Sequence, residues 1–136
     1  MRKLLVATGL AFLLSGNVQS AEEKLGPLES EMAGQVYLCG LNAQLADGAK
    51  EPKKKAYLED ANKCEGDSKA KIKQMVKAEY SKYQDGDAVR LRLKALYSAY
   101  LTYMDAAMWG KDLVDSKEAM AFKDRVSEYR AELELR

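Results

Sequence analysis

The chain has 136 residues and a formal net charge of +1, from 22 lysines and arginines against 21 acidic residues, and it contains no histidine. This balance argues against a nucleic-acid partner, because such binding depends on many contacts between basic side chains and phosphates. Without histidine, every Ser-His or Cys-His nucleophile is excluded and the commonest transition-metal ligand is missing. We therefore expect a protein that is not an enzyme and has no metal site and no cofactor.

The first 21 residues have the pattern of a cleaved secretory signal. Two basic residues precede an apolar run over residues 4–14, and small residues allow cleavage after Ser20 or Ala21. The apolar run is shorter than the roughly 20 residues that a membrane-spanning helix needs. The sequence thus predicts a periplasmic or secreted protein without a membrane span.

Residues 22–136 are expected to form a single helical domain, which is an ordinary size for one hydrophobic core. Asn17 stands where a lipoprotein signal has the cysteine that carries the lipid, so no lipid anchor is expected. Charge is uneven, because residues 22–49 carry five acids and one lysine, whereas residues 50–82 carry ten lysines and six acids. These lysines indicate either a solvated helix surface or a basic strip that meets an anionic partner.

Two cysteines, Cys39 and Cys64, remain after the signal. A single pair in an exported chain is more often a disulfide than a metal or catalytic site. Both cysteines fall on apolar stripes with helical spacing. The sequence therefore predicts a disulfide that clamps the first two helices into an antiparallel hairpin.

Apolar residues recur at steps of three and four in four successive segments, as expected for helices that each bury one side. Pro27 and Pro52 precede the first two segments, at positions where a helix tolerates proline. The stripes lie within residues 28–46, 57–76, 89–107 and 119–133. Four amphipathic helices with short connections predict an all-α fold, a small up-down helical bundle.

Polar residues and glycines mark the expected helix ends. Gly66 could kink one long second helix or split it, and we expect the long, kinked helix. Asp85 or Asp87 can accept the first N–H groups of the third helix. Asp115 and Glu118 have capping-box spacing, so the last helix is expected to begin beside them.

The segment "YSAYLTYMDAAMWG", residues 97–110, contains the only tryptophan of the chain. One side of this helix continues the core stripe, and the other side carries small residues together with Asp105 and Trp109. That second side indicates either close helix packing or an exposed contact surface. We predict a partner-binding site formed by Tyr103, Asp105 and Trp109, since tryptophan is favoured at interface hot spots and an acid beside it attracts cations.

Two functional hypotheses follow from these patterns. The first is an exported, non-enzymatic binding or inhibitory module of the bacterial cell envelope that holds a protein partner. It shares its size, export and one cysteine pair with small inhibitors and immunity proteins, which is a similarity of class only. The alternative is a structural or chaperone-like periplasmic protein that associates with itself, because its scattered methionines suit adaptable contacts.

Overall fold

The computed structural model describes residues 25–136 and forms four α-helices in that part of the chain. Helix α1 spans Pro27–Gly48, α2 spans Lys53–Tyr80, α3 spans Ala88–Met108 and α4 spans Lys117–Glu134. The predicted all-α bundle of four helices is confirmed. None of the described helices is long and apolar enough to cross a membrane. The predicted secretory signal, residues 1–21, lies outside the described residues.

Most helix ends follow the local sequence signals. Pro27 occupies the first turn of α1, and α2 begins directly after Pro52. Gly66 lies within α2, which continues through it without a break, so the helix is not split. At the start of α3, the Asp87 carboxylate accepts a hydrogen bond of 2.9 Å from the Val89 N–H. This contact confirms Asp87 as the cap.

The start of α4 differs from the prediction. Ser116, rather than Asp115, caps the helix, and its hydroxyl accepts a hydrogen bond of 3.1 Å from the Ala119 N–H. The physical reason lies in the preceding turn, where the Asp112 carboxylate accepts hydrogen bonds from the N–H groups of Val114 and Asp115 at 2.8 and 2.7 Å. The backbone N–H of Asp115 is thus bound within this turn, one residue before the cap. The prediction that Asp115 caps the helix is therefore wrong.

Helix α3 is central to the bundle, since it packs against α1, α2 and α4, whereas α4 packs chiefly on α3. Its predicted apolar stripe is fully buried, which explains this position. The buried residues of the stripe are Val89, Leu93, Leu96, Tyr100, Met104 and Ala107.

The Cys39–Cys64 disulfide joins α1 to α2, with the two Cα atoms 5.4 Å apart. Cys39 is completely buried in the core and Cys64 is partly buried beside it. The predicted clamp between the first two helices is thereby confirmed. The disulfide and the short connection at residues 49–52 join the same two helices, α1 and α2. Both therefore favour an α1–α2 hairpin.

A buried hydrogen bond of 2.6 Å links Ser68 on α2 to Tyr100 on α3. Burial raises the pKa of Tyr100 above its ordinary value, so its hydroxyl stays neutral. We expect Ser68→Ala to lower the free energy of unfolding by about 1–3 kcal/mol, because it leaves the tyrosine hydroxyl buried without its partner. Urea denaturation followed by circular dichroism measures this effect.

The double variant Ser68→Ala/Tyr100→Phe removes both polar groups and should be more stable than Ser68→Ala alone. Tyr97→Phe is the matched control, since Tyr97 is partly exposed and stacks on Tyr100 at a centroid distance of 6.2 Å. A double variant that is less stable than Ser68→Ala would contradict the proposed cost of the unpaired hydroxyl.

Candidate binding site

Trp109 lies at the C-terminal end of α3 in a hydrogen-bonded backbone turn. The Gly110 N–H donates to the Ala107 carbonyl, and the Lys111 N–H donates to the Ala106 carbonyl, both at 3.0 Å. These two bonds form a Schellman motif, in which Gly110 has a φ of +80° that other residues rarely adopt. The turn fixes the backbone of Trp109, while 86% of the residue remains exposed.

The tryptophan borders a recess of about 370 Å³ that three helices form at this end of the bundle. Apolar side chains from α1, α2 and α3 contribute its inner surface, and carboxylates stand among them. The lining residues are Ala43, Asp47, Leu58, Ala61, Asn62, Glu65, Asp105, Met108 and Trp109. The predicted pair of Asp105 and Trp109 therefore shares one recess, which we call the Trp109 recess.

Negative charge exceeds positive charge along the lining of the Trp109 recess. Asp47, Glu65 and Asp105 contribute three carboxylates. Lys69 donates to Glu65 at 2.7 Å and to Asp105 at 2.8 Å. Partial burial disfavours the charged form of Lys69, but the hydrogen bonds to Asp105 and Glu65 outweigh it, so its pKa lies above the ordinary value. One ammonium thus holds two of the three carboxylates in place.

Tyr103 does not reach this recess. It is buried in the core, where its ring lies 5.3 Å from the Phe122 ring, centroid to centroid. Its hydroxyl donates a hydrogen bond to the Leu113 carbonyl. Burial raises the pKa of Tyr103. The structure therefore places Tyr103 in the core, bound to the loop that follows α3 and outside the Trp109 recess.

The remaining small residues on this side of α3 line a second recess of about 310 Å³ against α4. Glu118 reaches it from α4, and its Oε1 atom accepts a hydrogen bond of 2.6 Å from Lys111, which lowers the pKa of Glu118. Its Oε2 atom has no hydrogen-bond partner among the described residues. The residues of α3 in this recess are Ala95, Ser98, Ala99 and Thr102.

Acidic partners interrupt the row of eight lysines on α2. Four of them pair with acids, at N–O distances of 2.6–3.9 Å, and three of these pairs lie one turn apart on α2 itself. The paired lysines are Lys55, Lys63, Lys69 and Lys71. Such pairs neutralise much of the charge that the sequence pattern displays.

Sequence reasoning found Asp105 and Trp109 but missed the residues that complete the recess from α1 and α2. Leu58 and Asn62 are one turn apart on α2 and therefore share a side, but no local pattern connects them with α3. Asp47 comes from the end of α1. Within residues 25–136, no cluster of three or more histidine, cysteine or acidic side chains could hold a metal ion.

Comparison of the chain with protein-family models, with curated proteins and with solved structures finds no match. The geometry and charge of the Trp109 recess are therefore the basis of the functional proposal.

Proposed function

We propose that this chain is a small exported, non-enzymatic helical module of the bacterial cell envelope that holds a protein partner at the Trp109 recess. The observation that carries the proposal is an almost fully exposed tryptophan, on a fixed turn, beside an acidic recess with an apolar inner surface. Exposed tryptophans next to a concave surface are typical anchors of protein interfaces.

The chemistry of the recess favours a lysine or arginine side chain of the partner. An indole ring attracts a cation over its face, and the neighbouring carboxylates add charge-assisted hydrogen bonds. Leu58, Ala61 and Met108 offer apolar contact for the methylene groups of such a side chain. The partner is therefore expected to present a basic residue on an exposed segment.

Export is supported by two independent features of the chain. The first is the basic and apolar pattern of the N-terminal residues, which is typical of secretory signals. The second is the Cys39–Cys64 disulfide, since structural disulfides form and persist in oxidising compartments. An inhibitor or immunity-like role is one form that such a module can take.

The first test uses acetyl-arginine amide as a probe, with the neutral acetyl-citrulline amide as its isosteric control. Trp109 is the only tryptophan, so its fluorescence reports on the recess without interference. We expect the arginine probe to change the fluorescence with a Kd on the order of millimolar, and the citrulline probe to bind about fivefold more weakly. Equal responses to the two probes would exclude a cation site.

Two variants that each remove one negative charge test whether the arginine probe binds in the Trp109 recess. Asp105→Asn removes a carboxylate from the recess and should weaken arginine binding about threefold. Asp124→Asn removes an exposed carboxylate from α4, outside the recess, and should have no effect. For the protein partner, we expect capture from the host's envelope fraction to be lost with Trp109→Ala and retained with Leu91→Ala, which removes another exposed apolar side chain of α3.

The alternative, a structural or chaperone-like protein that associates with itself, stays a prediction. One observation favours self-association, namely the exposed apolar side of α1. It lies on the other side of α1 from the Trp109 recess, because Ala43 lines the recess and Leu45, two residues later, points the opposite way.

A further inference from the structure

Helix α1 is apolar on both of its sides. Its inner side is buried in the core, and its outer side carries Tyr37, Leu38, Leu41 and Leu45, which we call the outer face. These residues are 49%, 57%, 37% and 51% exposed. Residues 32–46 contain no charged side chain. A helix that is apolar all round is normally buried on all sides, so the outer face lacks a covering element in the described chain.

We infer that a second copy of this chain covers the outer face, with the two α1 helices packed antiparallel about a two-fold axis at Leu41. This inference goes beyond the proposed function and does not depend on it. Most soluble homo-oligomers are two-fold dimers, in which one patch meets the same patch on the other subunit. The patch must therefore be complementary to itself.

The outer side of α1 has a sequence order that satisfies this requirement. Gly34, Tyr37, Leu41, Leu45 and Gly48 follow one another at steps of three, four, four and three, which read the same in both directions. In an antiparallel pair centred on Leu41, Tyr37 of one copy lies opposite Leu45 of the other. Gly34 likewise lies opposite Gly48. A side chain added at either glycine would meet nothing within 4 Å, so both ends are open to a neighbouring helix.

Charge decides between the antiparallel and the parallel arrangement. Glu29 and Glu31 lie in the N-terminal part of α1 and give it two negative charges. The C-terminal end and the residues after it, 47–55, carry four lysines against Asp47 and Glu51, which leaves a formal net charge of +2. An antiparallel pair brings the acidic start of each α1 towards the lysines of the other copy, whereas a parallel pair brings like charges together.

The oligomeric state of the purified protein tests this inference by sedimentation velocity over a range of concentrations. We expect a dimer, and we expect Leu41→Lys to raise the dimer Kd about 100-fold or more, because it places two ammonium groups at the axis. Leu91→Lys is the matched control, since Leu91 is 66% exposed on α3, away from the outer face, and should leave the dimer intact. Circular dichroism verifies that both variants are folded.

Spin labels distinguish the two orientations. Labels at Gln44→Cys should lie about 9 Å apart along the helix axis in the antiparallel dimer, and labels at Ser30→Cys about 33 Å apart, at 1.5 Å per residue. A parallel dimer would give similar short distances at both positions and overturn the antiparallel arrangement. A strict monomer, or a dimer that Leu41→Lys leaves intact, would overturn the inference and assign the outer face to another partner or to the N-terminal residues.

The outcomes for the two surfaces are separable. Trp109→Ala should leave the dimer unchanged, and Leu41→Lys should leave the fluorescence response to acetyl-arginine amide unchanged. A negative result for arginine binding at the Trp109 recess therefore leaves the dimer inference untouched, and a negative result for the dimer leaves the proposed binding site untouched.

Discussion

Replacing Cys39 and Cys64 by alanine is expected to lower the free energy of unfolding by about 3.5 kcal/mol. The two cysteines are 25 positions apart in the sequence, and their bond restricts the unfolded chain by closing this loop. That is a large part of the stability of a domain of this size. Because Cys39 is completely buried, the alanine variant also loses packing in the core.

Urea denaturation of the variant, beside the wild type with and without a reducing agent, measures this effect. The reduced wild type should lose the stability that the disulfide contributes, and the alanine variant should be less stable still because it also loses core packing. Both should have a steeper denaturant dependence than the oxidised wild type, because the unfolded chain is more expanded. The helical signal should persist at low urea, since α3 packs against each of the other three helices without the disulfide. If the free energy of unfolding fell by less than about 1 kcal/mol, this would contradict the view that the disulfide stabilises the protein mainly by restricting the unfolded chain.

Gly40→Val is expected to destabilise the protein by about 2–3 kcal/mol through overpacking. Gly40 lies on the inner side of α1, where an added Cβ would stand 2.5 Å from Leu113 Cδ2 and 3.2 Å from the Ala107 Cβ. Leu113 is itself buried, so it has little space in which to move. The substitution should therefore displace the loop after α3 and alter the fluorescence of Trp109 as well.

Gly66→Val is the matched control for this prediction. An added Cβ at Gly66 meets nothing within 4 Å, so we expect a change smaller than about 0.5 kcal/mol from helix propensity alone. Both values come from urea denaturation of the purified variants. Similar stabilities for the two variants would show that Leu113 adjusts without cost, which would contradict close packing between α1 and the loop.

Local sequence signals predicted the helices well, because periodicity, prolines and capping side chains act within a few residues. The cap of α4 is the exception. Asp115 and Ser116 are both good capping residues, and the spacing from Asp115 to Glu118 fits a capping box. Ser116 caps the helix because the Asp112 carboxylate binds the backbone N–H of Asp115 and so holds Asp115 in the preceding turn. Such a turn has no periodic sequence pattern from which it could be predicted.

The candidate site was predictable only in part. Asp105 and Trp109 lie four residues apart, so helix geometry alone places them on one side of α3. Tyr103 lies two residues before Asp105 and was predicted to belong to the same site. Its burial depends on contacts with Phe122 and Leu113, which come from α4 and from the loop after α3. Such long-range contacts leave no trace in the spacing of residues within one helix.

The sequence by itself determined the number and approximate limits of the helices and the pairing of Cys39 with Cys64, because these depend on local periodicity and on there being only two cysteines. The sequence also indicated the buried side of α3, whereas tertiary structure alone decided which residues outside the predicted stripes are covered. It buried Tyr103, left Trp109 exposed beside residues of α1 and α2, and left the outer face of α1 uncovered. The physical reason is that an apolar stripe indicates a surface that favours burial, whereas its burial depends on the position of the other helices.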